Sequence, residues 1–172
     1  MSLALFLSEV VPVRPKLYRF AYRLLGNEED AMDIVQDALM KVWQQQERMA
    51  ELQSLEAWCM RIVRNLALDR LKSRKYRRSE ELDKAGDMPA MQQQNPYAAA
   101  EQQDVMNRVH SIIASLPEKY RTIIQLRDID GYSYQEIADI LAIEMADVKI
   151  NLHRARKSVR EQLQKVQVYG VQ

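Results

Sequence analysis

Residues that break or turn a chain are scarce: 172 positions hold four glycines and five prolines. With Leu, Ala, Gln, Glu, Arg and Met abundant, that shortage points to an all-α fold. Cysteine is scarcer still. Cys59 stands alone, so an intrachain disulfide is impossible and no cluster of thiols is present to hold a metal. No apolar run approaches bilayer length. The opening SLALFLSEVV is apolar but lacks a basic leader and contains Glu9, which makes it a poor signal peptide. A soluble cytoplasmic protein without metal or cofactor is therefore expected.

Net charge is nearly absent too, at +1, yet its distribution is uneven. Glu28 to Asp37 holds five acids and no base, while Arg61 to Arg78 holds eight Lys or Arg and one acid, Asp69. Such segregation suggests two electrostatic partners on one chain rather than a uniform nucleic-acid coat. Hydrophobic residues make up 47%, enough for packed cores in one ordinary domain or two small ones.

Helical spacing sets the order of elements. Leu3 to Val11 can form a short amphipathic helix ending before Pro12 and Pro15. A second is expected from about Lys16 to Leu25, stopped by Gly26. Asn27 caps a third, running to about Gln46, with acids in its first turn where they complement the helix dipole. Its polar side carries Asp33, Gln36, Asp37 and Lys41. After a loop over Glu47 to Gln53, Ser54 caps a helix whose expected core stripe is Leu55, Trp58, Ile62 and Leu66. Arg61, Asn65, Asp69 and Lys72 line its opposite edge, and it ends in the basic run KSRKYRR, which includes Arg74 and Lys75. Asn65 is a poor helix former in mid-helix and needs a compensating contact, either with a neighbouring helix or with a base edge.

From Ser79 to about Asn95 large apolar residues almost vanish, which reads as a linker and domain boundary. The expected architecture is two small helical domains, 1–78 and 96–172, joined by a flexible linker over 79–95. The second begins with a helix bearing Val105, Met106, Val109, Ile112, Ile113 and Leu116. Pro117 starts the next, to about Asp128, with Ile123, Ile124 and Leu126 inside.

Then comes GYSYQEIADILAIEMADVKINLHRARKSVREQL, two helices and a short turn. Ser133 and Glu136 form a capping box, and Asp147 can cap the second helix, expected from Ala146 or Asp147. Its inner stripe is Val148, Leu152, Ala155, Val159 and Leu163. Lys149, His153, Arg156 and Arg160 repeat on another face, with Asn151, Arg154 and Lys157 beside them. A helix-turn-helix with donors along its second helix suits the major groove, where Lys149, Asn151, His153, Arg154 and Arg156 could read base edges or hold phosphates. A helical hairpin with a solvated basic face is the plainer alternative. An enzyme with Cys59 as nucleophile is not expected, because His110 and His153 belong to the other domain and Cys59 sits beside Trp58 on an apolar helix edge.

Three motifs, in order, resemble the extracytoplasmic-function (ECF) group of bacterial sigma factors: LYRFAYRLLGNEEDAMDIVQDALMKVW, AWCMRIVRNLALDRLKSRKYRR, and LPEKYRTIIQLRDIDGYSYQEIADIL followed by VKINLHRARKSVREQL. The resemblance implies a sigma factor that joins core RNA polymerase and directs promoter-specific initiation, with no small-molecule substrate. It implies that Asp33, Gln36, Asp37 and Lys41 dock on the coiled-coil element of the beta-prime subunit. It implies that Asn65 and the loop over Arg48 to Ser54 capture a base flipped from the minus-ten element, within a set comprising Arg61, Asn65, Asp69, Lys72, Arg74 and Lys75. The helix-turn-helix would bind the minus-thirty-five duplex. An anti-sigma factor, which often holds free members of this group, joins the expected partners. The chain departs from the usual pattern at Ala142, Ala146-Asp147 and Ile150-Asn151, where members commonly carry glycine, Gly-Thr and Ser-Arg. A dimeric helix-turn-helix repressor or activator is the competing reading. It explains the second half and leaves the acidic helix without a purpose.

Overall fold

The structure is a computed structural model that describes residues 2–81 and 101–169. Among these residues the regular structure is entirely helical. Eight α-helices follow in order: α1 (Leu3–Val10), α2 (Arg14–Leu25), α3 (Glu28–Gln44), α4 (Leu55–Glu81), α5 (Glu101–Ser115), α6 (Glu118–Ile124), α7 (Tyr134–Leu141) and α8 (Met145–Tyr169). The chain divides into two compact units, one carrying α1–α4, the other α5, α6, α8 and the first part of α7. Residues 82–95 of the expected linker, and Pro96, lie outside the described residues, while Ser79 to Glu81 continue α4.

In the first unit, local chemistry sets the helix ends. Gly26 adopts φ 66°, a left-handed conformation that glycine reaches without a Cβ penalty, and its N–H donates to the Tyr22 carbonyl at 2.8 Å. The next residue starts α3: Asn27 Oδ1 accepts from the Asp30 N–H at 3.0 Å. Ser54 Oγ accepts from the Ala57 N–H at 3.1 Å and starts α4. Between them, Gln46–Glu51 form a 3-10 turn where a plain loop is expected. Pro15 lies in the first turn of α2, so that helix begins at Arg14, two residues before its expected start.

α2 packs against both α3 and α4, and α3 packs against α4. Leu17, Phe20 and Ala21 from α2, Ala31, Ile34, Val35, Ala38 and Val42 from α3, and Ala57, Cys59, Met60, Val63 and Ala67 from α4 form the core. The α4 contribution corrects the expected stripe: Leu55, Trp58, Ile62 and Leu66 are only half-buried. α4 carries two neighbouring apolar stripes, and the one with small residues faces inward because two helices approach it together. Trp58 is therefore a flank of the core rather than its centre.

In the second unit, α6 packs against α8, and α5 against both. Ile112, Ile113, Leu116, Ile123, Ile124, Leu126, Val148, Leu152 and Ala155 are buried. Val105 and Met106, apolar members of the same helix, are exposed. α6 does not run regularly to Asp128. Gln125–Ile129 widen into a π-type turn, closed by the Asp130 N–H on the Gln125 carbonyl at 2.8 Å and the Tyr132 N–H on the Leu126 carbonyl at 3.0 Å.

Candidate nucleic-acid and protein interfaces

Asp33, Gln36, Asp37 and Lys41 are all exposed. Their spacing of three, one and four residues keeps them on one side of α3, opposite the buried Ile34, Ala38 and Val42. Met40, at 61% exposure, lies on the same side, so the acidic face ends in an apolar step. There Trp43 meets Phe6 of α1 edge-on, with ring centroids 5.0 Å apart. Asp30 does not join this face. It turns toward α4, where Arg70 Nη1 donates to its Oδ1 at 2.7 Å and Arg74 pairs with its Oδ2. Sequence reasoning missed this staple. The available signal was Asp30's position one turn before the buried Ile34, on the inward side of the helix.

Along α4, Arg61, Asn65, Asp69, Lys72 and Lys75 are exposed. The first four follow at intervals of four, four and three, forming one edge turned away from Met60, Val63 and Ala67. Because Asn65 is exposed, its amide faces solvent rather than a neighbouring helix. Arg74 departs from the expected set of free cations. Its Nη1 donates to the Leu25 carbonyl at 3.3 Å and its other branch meets Asp30, so it ties α4 to the α2–α3 corner. Beyond it, Lys75, Tyr76, Arg77 and Arg78 are all exposed.

In the helix-turn-helix of α7 and α8, the first helix starts as its capping residues predict. Ser133 Oγ accepts from the Glu136 N–H at 3.1 Å, and Glu136 Oε2 accepts from the Ser133 N–H at 2.8 Å. α7 ends with Ala142 at φ 54°, and the Ile143 N–H reaches back to the Ala138 carbonyl at 3.1 Å. This is a Schellman closure with alanine where glycine fits without strain. α8 then starts at Met145, so Asp147 lies inside its first turn rather than capping it. A carboxylate there still complements the dipole.

Lys149, His153 and Arg154 are exposed on α8, as are Lys157 and Arg160. Asn151 is not. At 4% exposure it lies within the inner stripe, because it is three residues past Val148 and four before Ala155 on a helix of 3.6 residues per turn. Its amide is unavailable to a groove, which corrects its placement among the donors. Arg156 is only partly open: Nε and Nη2 grip Asp128 Oδ2 and Oδ1 at 3.0 and 2.5 Å. The hydrogen bond to Asp128 raises the Arg156 guanidinium above its usual range. Nearby, Arg127 stacks over the Tyr134 ring at 4.8 Å from its centroid and donates to the Tyr132 carbonyl at 2.8 Å.

Cys59 is fully buried, and burial, reinforced by the nearby Glu56 charge, pushes its thiol up to about 12. A thiol so held is protonated at neutral pH and is no nucleophile. Among the described residues, no group of His, Cys, Asp and Glu is placed to hold a metal ion, and no helix is long and apolar enough to cross a membrane.

Residues 10–77 match the Sigma-70 region 2 family, and residues 106–159 match the Sigma-70 region 4 family. The chain is 32% identical to the ECF RNA polymerase sigma factor SigE of Mycolicibacterium smegmatis over 150 residues, which cover 87% of this chain and 58% of that relative. It is likewise 32% identical over 157 residues to the ECF RNA polymerase sigma factor SigW of Bacillus subtilis, covering 87% of this chain and 84% of the relative. Among solved structures it is similar to the sigma factor RpoE from Bartonella quintana, determined in complex with the anti-sigma factor NepR. That likeness has a TM-score of 0.68 and 28% identity, covering 92% of this chain and 96% of that one.

Proposed function

The chain belongs to the ECF sigma factors of bacterial RNA polymerase, and from that premise we propose how its surfaces share the work of starting transcription. As a family member it directs promoter-specific initiation by core RNA polymerase. Residues 1–78 serve as the polymerase and minus-ten domain, and residues 96–172 as the minus-thirty-five domain. The observation that carries this division is the pairing of an acidic, outward-facing α3 with an α4 whose opposite edge is polar and basic, followed in the chain by a capped helix-turn-helix.

Asp33, Gln36, Asp37 and Lys41 form the contact with the coiled coil of the beta-prime subunit, with Met40 adding apolar area. Acids on an open helix face speed encounter with a basic partner and set its register. Asn65 meets a base drawn out of the minus-ten duplex, because an amide matches a Watson–Crick edge with a donor and an acceptor together. Arg61 and Asp69 flank it. Lys72, Lys75, Arg77 and Arg78 follow the phosphates of the opened strand, a salt-dependent and sequence-blind contribution. Lys149, His153 and Arg154 face the major groove of the minus-thirty-five duplex.

The protein performs no bond chemistry. It lends binding energy to the melted promoter, and the polymerase catalyses, which places its work in the cytoplasm. The likeness to a sigma factor solved with NepR supports an anti-sigma partner for this chain as well. A stand-alone dimeric regulator leaves the first unit unused and is not favoured. The test is reconstitution. Purified protein with core polymerase is predicted to give transcripts from selected promoters, and failure to bind core polymerase overturns the reading.

A further inference from the structure

We infer that Asp128 sets the strength of duplex binding by holding Arg156 away from the DNA. The inference rests on the reading of α8 as the duplex-facing helix and adds a residue that this reading does not use. Arg156 Nε and Nη2 meet the two Asp128 oxygens at 3.0 and 2.5 Å, so the side edge of its guanidinium is engaged bidentately with one carboxylate. A guanidinium uses the same parallel geometry to grip a phosphate or the O6 and N7 atoms of guanine. That edge serves one such partner at a time. Asp128 is thus an internal substitute for the nucleic acid.

The carboxylate is well placed to keep its hold. It sits in the π-type turn, whose backbone is closed on both sides of it by the Asp130-to-Gln125 and Tyr132-to-Leu126 hydrogen bonds, with Leu126 fully buried beneath. Arg127 is committed in the same neighbourhood, between the Tyr134 ring and the Tyr132 carbonyl. The Asp128–Arg156 pair itself remains open to water, with side-chain exposures of 38% and 42%. An ion pair that exposed contributes little to folding. Removing it should therefore free the arginine without unfolding the domain.

The experiment measures binding of reconstituted holoenzyme to its promoter across a salt series, for the parent, Asp128→Asn, Arg156→Gln and the double variant. One released arginine that reaches a phosphate steepens the slope of log affinity against log salt by about 0.9. Asp128→Asn is expected to show that steeper slope and tighter binding at low salt. The double variant is expected to return to the parental slope, and Arg156→Gln alone to keep it. An unchanged slope in Asp128→Asn overturns the inference. So does a steeper slope that persists in the double variant, since Asp128 then acts by simple repulsion. A shallower slope in Arg156→Gln also overturns it, and remains readable even if Asp128→Asn fails to fold. Failure of the underlying reading looks different: the parental holoenzyme would then bind with no dependence on the minus-thirty-five segment.

Discussion

Arg70 in α4 donates to Asp30 in the first turn of α3 at 2.7 Å, with neither side chain more than a third exposed. Arg74, one turn further along, meets the same carboxylate and the Leu25 carbonyl. The acidic helix and the basic helix are thereby fastened to each other before either meets a partner. Because water is partly excluded, the cost of losing Asp30 should fall between the ~0–1 kcal/mol of an exposed pair and the ~3–5 kcal/mol of a fully buried one. Asp30→Asn is expected to destabilise the first unit by about 1–2 kcal/mol. Trp43 and Trp58, the two tryptophans of the chain, both lie there, so urea unfolding followed by tryptophan fluorescence reads that unit.

Ala142 occupies a left-handed conformation at φ 54°. Such a conformation costs an L-residue ~1–2 kcal/mol, while glycine gives part of that gain back through its freer unfolded chain. Ala142→Gly is expected to stabilise the helix-turn-helix by ~0.5–1 kcal/mol. Slower amide exchange in α7 and the start of α8 is the readout.

Ser133 and Glu136 satisfy each other's backbone donors at 3.1 and 2.8 Å. Ser133→Ala leaves the Glu136 N–H without its acceptor and should cost about 1 kcal/mol. The same exchange measurement should show faster exchange at the N-terminus of α7, opposite in sign to the change at Ala142.

These local devices were legible in the sequence, because a cap and its partner sit within three residues. Asn27, Ser54, Ser133 and Glu136 all act as read, and Gly26 closes α2. What escaped was pairing between elements far apart in the chain. No period joins Asp30 to Arg70 and Arg74, or Asp128 to Arg156, so Arg74 and Arg156 both read as free cations. Asn151 escaped for another reason: the stripe through Val148, Leu152 and Ala155 is wide enough to include it, but its polarity argued for the outside. The face of α4 was misread because Leu55, Trp58, Ile62 and Leu66 form as good a stripe as the inner one. Only the close approach of α2 and α3 selects the smaller residues.

Cys59 offers a check on the first core. Its thiol is raised from 9.0 to about 12 by burial first and by Glu56 second. The folded state therefore keeps a proton that the unfolded chain releases, so the contribution of this thiol to stability is full below pH 9.0 and declines as pH rises toward 12. Cys59→Ser should flatten that decline. In the native parent at pH 8, alkylation should proceed only as fast as the unit opens, and urea should accelerate it.

The division of labour across the chain turns on the outward face of α3. The direct measurement is the affinity of core RNA polymerase for the parent protein and for Asp33→Lys with Asp37→Lys, with helicity checked by circular dichroism. Both residues are exposed and outside the core, so the variant should fold. Reversal of two interface charges is predicted to weaken binding on the order of 100-fold, or roughly 3 kcal/mol. An affinity equal to the parent's would contradict the account.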